Sequence, residues 1–258
     1  VIPGMLLAGI YMMAFLVLAA LKPEMAPAID ADERAAMGRW QLVRKFVLVV
    51  LPPIGLVVAV LGSIIGGVAA PTEAAAMGAI GAFAIVVVAG KFSFRLFGEI
   101  GRSTLLISAM VFFILIAAQA FALAFRGLGG EHLVVRMFEW VPGGVTASLI
   151  FLMLLIFVLG FFLEWIEISY IALPLFLPFF IQNDVNLVWL GALICLNLQT
   201  SFLTPPFGWS LFFLKGVAPP GVTTGDIYLG VLPFIALQLV ALVILCLFPS
   251  LALWLPEA

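Results

Sequence analysis

The chain has 258 residues, of which 66% are hydrophobic and 9% are charged. Soluble domains carry about 25% charged residues, so this chain could not cover a water-facing surface with polar groups. Disorder is excluded as well, because it requires low hydrophobicity and high charge. The net charge of −2 gives no indication of a nucleic-acid partner.

Apolar runs of bilayer length, uncharged except for Glu73, recur along the chain. A run of about 18 or more such residues is typical of a membrane-spanning helix. The runs predict spans at residues 3–21, 46–67, 72–89, 103–125 and 227–248. The sequence therefore predicts an all-α polytopic membrane protein. Because the opening residues, Val-Ile-Pro-Gly, already lie within an apolar run, we also expect a further segment to precede them.

The connectors between these spans differ in their content of Lys and Arg. Residues 22–45 contain five, residues 91–102 contain three, and residues 126–146 contain two. Basic residues favour cytoplasmic loops of membrane proteins. We therefore predict that the first two connectors face the cytoplasm and that the third faces outside.

The region from residue 147 to residue 181 contains two shorter apolar segments around a polar tip. Residues 147–160 and 168–181 each give about 14 helical residues, or about 21 Å, which is less than the ~30 Å hydrocarbon core. The pattern predicts a re-entrant hairpin. Glu164 and Glu167, three residues apart at the tip, either form an ion or proton site or cap the returning helix.

A second irregular element follows the hairpin. An apolar helix at residues 188–203 is interrupted at Thr204-Pro205-Pro206 and resumes to residue 214, because two prolines cannot continue the helical hydrogen bonds. Polar residues precede the break, at Asn197, Gln199, Thr200 and Ser201. They either line a site or form hydrogen bonds between helices.

A hairpin next to a broken helix is typical of a transporter site. The final carbonyls of the helix at residues 188–203 are expected to lack partners and to suit Na⁺, with a hydroxyl of Thr200, Ser201 or Thr204 as a further ligand. Helix N-termini suit a carboxylate. We expect no cofactor other than Na⁺ as coupling ion. This broken-helix argument, together with the resemblance of residues 159–178 and 197–219 to a transporter family, implies a set of candidate substrate- and ion-binding residues: Gly160, Glu164, Glu167, Asn197, Gln199, Thr200, Ser201, Thr204, Pro205 and Pro206.

Three runs of residues resemble a known family. PTEAAAMGAIGA (71–82), LGFFLEWIEISYIALPLFLP (159–178) and NLQTSFLTPPFGWSLFFLKGVAP (197–219) are similar to the large membrane subunit of tripartite ATP-independent periplasmic (TRAP) transporters. FRGLGG (125–130) and VTTGDIYLGVLPF (222–234) resemble its mannitol/chloroaromatic-compound branch.

The resemblance implies the second half of an inverted-repeat, elevator-type transporter in the bacterial inner membrane. Residues 1–146 would be scaffold spans, residues 147–217 the transport-domain hairpin and broken helix, and residues 218–258 a C-terminal span. Relatives are sodium-coupled importers of organic acids. They require a small membrane subunit and a periplasmic substrate-binding protein, which would largely select the small-molecule solute.

Two other classes of function compete with a carrier. A channel-like or structural membrane subunit would show no saturable flux. An intramembrane enzyme would use Glu164 and Glu167 as paired carboxylates, but the sequence offers no obvious nucleophile or metal set to accompany them.

Overall fold

The computed structural model describes residues 1–25, 38–205, 208–219 and 221–257, and within them it contains helices and no β-strand. Six of the described helices are long and apolar enough to cross a membrane, or seven if a bent pair is counted as one span. The predicted all-α polytopic fold is confirmed. The helices are α1 Ile2–Leu21, α2 Trp40–Ile65, α3 Pro71–Val88, α4 Phe94–Gly127, α5 Gly130–Glu139, α6 Gly144–Leu159, α7 Trp165–Gln182, α8 Leu187–Ser201, α9 Trp209–Val217, α10 Thr224–Leu247 and α11 Ser250–Glu257.

Local signals in the sequence explain several helix starts. Pro71 occupies the first turn of α3, and the Glu73 carboxylate accepts a hydrogen bond from the Ala70 N–H at 2.9 Å. The Asn186 side chain accepts from the N–H groups of Val188 and Trp189 and so caps α8. These bonds satisfy N–H groups that have no partner inside the helix.

Residues 26–108 form one compact unit, which contains α2, α3 and the first part of α4. Helices α2 and α3 pack closely because Gly78 and Gly81 of α3 face the side chains of Val60 and Leu56. The ring of Phe83 packs edge-on against those of Phe92 and Phe97. Within the predicted connector 22–45, residues 26–37 lie outside the described residues.

Residues 1–25 and 109–258 form the other compact unit. Helix α8 packs against both α6 and α10, α1 packs against α10, and α5 packs against α7. The Phe138 ring of α5 is 1% exposed and stacks on Phe179 of α7, with ring centroids 4.9 Å apart. The Trp189 indole N–H donates to the Leu245 carbonyl at 2.9 Å, so the start of α8 meets the end of α10.

The outside connector predicted at residues 126–146 is largely helical, since it contains α5. Helices α5 and α6 meet at an angle of 113°. Gly143 and Gly144 form the bend, with φ of 116° and 69°, a backbone region that favours glycine. The Val134 and Phe138 side chains of α5 are buried, whereas its Arg136 and Glu139 are exposed, so this helix is amphipathic.

Several predicted boundaries differ from the structure. Helix α4 begins at Phe94, so most of the predicted connector 91–102 is helical. The two hairpin arms, α6 and α7, have 16 and 18 residues, and the predicted length of 14 residues each is therefore wrong. Helix α6 is longer because it begins at Gly144, and α7 is longer because Glu167 lies inside its first turn rather than in the loop before it. The re-entrant path stays a prediction.

Candidate functional site

The hairpin tip contacts the end of the broken helix. A β-carbon at Gly160 would lie 2.9 Å from the Ser201 Cβ and 3.0 Å from the Ser201 Oγ, which is closer than real side chains approach. Gly160 is itself buried. Two segments that are 41 positions apart, and that the sequence singled out separately, are therefore in van der Waals contact.

Two helix C-termini converge at this contact. Helix α6 ends at Leu159, directly before Gly160, and helix α8 ends at Ser201. The C-terminus of a helix carries a partial negative charge and carbonyls without intrahelical partners. In addition, Pro205 has no N–H to donate to the Ser201 carbonyl four residues earlier. The arrangement brings the negative ends of two helices together at one position. Backbone N–H groups already donate to the carbonyls of Val158 and Leu159 at the end of α6, and to those of Gln199 and Thr200 at the end of α8.

The hydroxyls near the break bond to carbonyls of their own helix. Thr204 Oγ1 donates to the Thr200 carbonyl at 2.9 Å, Thr200 donates to the Asn197 carbonyl, and Ser201 donates to the Leu198 carbonyl. The prediction that the final carbonyls of α8 lack partners is therefore wrong for these three. A hydroxyl that donates its proton keeps lone pairs on its oxygen, so all three hydroxyls retain the capacity to coordinate a cation.

Asn197 lies away from the break and faces another helix. Its side chain is 1% exposed, and its amide Nδ2 donates to the Met153 carbonyl of α6 at 2.7 Å. Asn197 therefore forms a hydrogen bond between helices, and its role at a substrate or ion site stays a prediction. Gln199 is exposed, and the structure does not bring it to the Gly160–Ser201 contact.

The described residues on the two sides of the break lie close together. The Ser210 N–H at the start of α9 donates to the Phe202 carbonyl at 3.2 Å. A β-carbon at Gly208 would lie 3.0 Å from the same carbonyl, so a glycine permits this approach. Thr204 is buried and Pro205 is partly buried, while Pro206 lies outside the described residues.

The two glutamates lie at the start of the returning arm. The Glu167 carboxylate accepts a hydrogen bond from the Glu164 N–H, as the capping interpretation expects. The choice between capping alone and an ion or proton site stays a prediction. Both side chains are partly buried. Negative charge in the first turn also interacts favourably with the positive end of α7.

Substitution of Glu167 separates capping from proton or ion binding. We expect Glu167→Ala to destabilise the protein by about 1 kcal/mol through loss of the cap, and Glu167→Gln to retain most of that stability because its carbonyl still accepts. Thermal unfolding in detergent measures both. If Glu167 binds a proton or an ion, Glu167→Gln will instead lose transport as completely as Glu167→Ala.

All the candidate ligand atoms at the site are oxygens. They are backbone carbonyls and aliphatic hydroxyls at Thr200, Ser201 and Thr204, with the carboxylates of Glu164 and Glu167 on the adjoining arm. Within the described ranges, no group of three or more His, Cys, Asp or Glu side chains is placed to hold a metal ion. Oxygen ligands of this kind suit a hard cation.

The described helices of membrane length indicate a polytopic membrane protein. Two shorter helices whose C-terminal ends are in contact are a feature typical of transporters. The chain belongs to the DctM component family of the tripartite ATP-independent periplasmic transporters, which it matches over residues 1–251. Members of this family are transporter permeases, so the interpretation as an intramembrane enzyme is set aside. The chain is accordingly a multi-pass inner-membrane protein.

Curated relatives agree with this family. The chain is 29% identical to the sialic acid TRAP transporter permease protein SiaT of Haemophilus influenzae, over 77% of this chain and 32% of the relative. It is 28% identical to the C4-dicarboxylate TRAP transporter large permease protein DctM of Rhodobacter capsulatus, over 100% and 56%. It is 31% identical to the ectoine/5-hydroxyectoine large permease protein UehC of Ruegeria pomeroyi, over 80% and 48%. The chain thus spans about half, or less, of the length of these relatives.

The structure also identifies contributors that the sequence did not indicate. The Met153 carbonyl binds Asn197, and Phe157 contributes a carbonyl 3.3 Å from the β-carbon position of Gly160. Every residue has a carbonyl, so no residue type signals these roles. The packing of α6 on α8 selects Met153, whereas the local geometry at the end of α6 places the Phe157 carbonyl.

Proposed function

We propose that this chain forms part of the permease subunit of a secondary, sodium-coupled, binding-protein-dependent importer of organic acids or related small solutes. The observation that carries the proposal is the convergence of two helix C-termini at Gly160 and Ser201, in a chain of membrane-length helices. The relatives named for sialic acid, C4-dicarboxylates and ectoine support the class of solute.

The coupling ion binds between the hairpin tip and the break. Carbonyl oxygens at the ends of α6 and α8 supply ligands, and the hydroxyl oxygens of Thr200, Ser201 and Thr204 complete the set. A sodium ion here neutralises the two negative helix ends that the Gly160–Ser201 contact brings together. Sodium binding thereby holds the tip against α8.

The solute binds beside the ion. The positive N-terminal end of α9 follows the break directly, and backbone N–H groups at such an end suit a carboxylate. The corresponding end of α7 already carries the Glu164 and Glu167 carboxylates. Coupling is reciprocal by thermodynamic necessity: a solute that prefers the ordered tip binds better with sodium present, and sodium binds better with solute present.

The remaining parts of the chain take supporting roles. Residues 147–217 form the mobile transport-domain segment, residues 1–146 contribute scaffold spans, and residues 218–258 form a C-terminal span. The partners are a small membrane subunit and a periplasmic substrate-binding protein, as the family name and the TRAP relatives support. Membership of the mannitol/chloroaromatic-compound branch stays a prediction.

Uptake by the complete transporter in liposomes tests this function. Radiolabelled sialic acid, succinate and ectoine are offered, each with a candidate binding protein from the same organism and with sodium or proton gradients imposed separately. We expect saturable uptake of one of them that requires both sodium and the binding protein. Uptake driven by protons alone contradicts sodium coupling, and flux that never saturates indicates a channel.

A further inference from the structure

One side chain ties the incoming hairpin arm to the broken helix. Asn197 of α8 donates its Nδ2 hydrogen to the Met153 carbonyl of α6 at 2.7 Å, and its side chain is 1% exposed. A hydrogen bond between helices in so buried a place is not weakened by competing water.

Packing alone does not account for an asparagine at this position. In the part of the chain that the structure describes, Asn197 Oδ1 and Gln238 Oε1 are the buried side-chain oxygens without a hydrogen-bond partner. A buried acceptor left unpaired costs about 1–3 kcal/mol, a penalty that a leucine of similar size avoids. The benefit of Asn197 therefore comes from its amide N–H.

The Asn197–Met153 hydrogen bond lies one to two helical turns before the contact between the helix ends. Asn197 is one turn before Ser201, and Met153 is two turns before Gly160, so the two helices reach their contact running in the same direction. The Asn197 carbonyl also accepts from the Thr200 hydroxyl. One residue thus holds α6 with its side chain and orients a candidate ligand hydroxyl with its backbone.

The surroundings offer the amide one further, weak acceptor, the Met153 sulfur of α6 at 3.8 Å. A cavity of about 310 Å³ lies beside the bond. Apart from Asn197, its lining consists of apolar or weakly polar side chains, namely Ile150, Met153, Leu154, Phe157, Leu239, Leu242, Val243 and Cys246. Separation of α6 from α8 would leave the Asn197 amide unpaired beside this cavity.

We infer that Asn197 is a positioning residue that keeps α6 and α8 together, so that their C-terminal ends form a single cation site. The inference rests on the proposed sodium site and assigns its geometry to a residue that does not touch the ion. It follows that the incoming arm stays attached to α8 when sodium leaves, and that movement at the tip is confined to the loop and the returning arm.

Hydrogen–deuterium exchange of the tip amides at residues 160–163 tests this inference in the complete transporter, with sodium chloride titrated against potassium chloride. We expect Asn197→Leu to raise the sodium concentration for half-maximal protection about tenfold, the effect of one buried hydrogen bond. Protection at saturating sodium should reach the parental level. Asn197→Gln should restore the parental titration, because it keeps the donor and the adjacent cavity has room for one methylene group.

Gln238→Leu is the matched control, because Gln238 is an equally buried amide with an unpaired oxygen on a different helix, α10. It should leave the titration unchanged. A parental titration in Asn197→Leu, or an equal shift in Gln238→Leu, would overturn the inference. If sodium does not slow hydrogen–deuterium exchange of the tip amides in the parent protein, the proposed sodium site is wrong. Exchange in potassium chloride then tests the role of Asn197 without sodium. Faster exchange of the tip amides in Asn197→Leu than in the parent supports the inference that Asn197 holds α6 and α8 together, and equal exchange refutes it.

Discussion

Gly160→Val is expected to abolish sodium-dependent uptake by the complete transporter while the protein still inserts and folds. The first β-carbon already falls 2.9 Å from the Ser201 Cβ and 3.3 Å from the Phe157 carbonyl, and the branched side chain adds two methyl groups there. The tip must move away from α8, and the two helix C-termini no longer share an ion. Uptake in liposomes measures the loss, with folding checked by thermal unfolding in detergent.

Two further variants isolate the contact. Gly191→Ala places a β-carbon where nothing lies within 4 Å, so uptake should be unaffected by this change of the same kind in α8. Gly160→Ala should impair uptake, and Ser201→Gly in the same protein should recover part of it by removing both close atoms. Ser201→Ala keeps the β-carbon and should recover less. Parental uptake by Gly160→Val would show that tip and break need not touch.

Thr200→Ala and Thr204→Ala are each expected to raise the sodium concentration for half-maximal uptake about tenfold or more, the effect of losing one hydrogen-bonding or coordinating group on a charge. Both threonines are buried, and their hydroxyls donate to carbonyls of the same helix. Each oxygen keeps a lone pair for the ion. Uptake as a function of sodium, at saturating solute, measures the shift.

Thr200→Ser and Thr204→Ser keep the hydroxyl and should remain close to the parent. Ser148→Ala is the matched control: its hydroxyl is 1% exposed and donates to the Phe138 carbonyl at 3.1 Å, away from the tip. It should cost stability without changing the sodium dependence. The site assignment is wrong if both alanine variants keep the parental sodium dependence, or if the parent requires a proton gradient and no sodium.

The sequence by itself determined the elements that depend on local chemistry. Apolar runs of bilayer length predict the spans, because apolar helices of that length match the hydrocarbon core of a membrane. Pro71 lies in the first turn of α3, and the Glu73 side chain caps the start of the same helix. Pro205 has no N–H with which to continue the hydrogen bonds of α8. Each effect involves residues only a few positions apart. The interrupted helix and the tip at Gly160 were therefore predictable as separate features.

Only the tertiary structure decided which of these features meet. The Gly160–Ser201 contact and the Asn197–Met153 bond join residues 41 and 44 positions apart. The contacting groups are the Ser201 β-carbon and the Met153 backbone carbonyl, and groups of these kinds occur in nearly every residue, so the sequence does not indicate them. Tertiary packing also turned Asn197 away from the break toward α6. The reason is physical: helix starts and breaks depend on neighbouring residues, whereas the approach of two helix ends depends on how all the intervening helices pack.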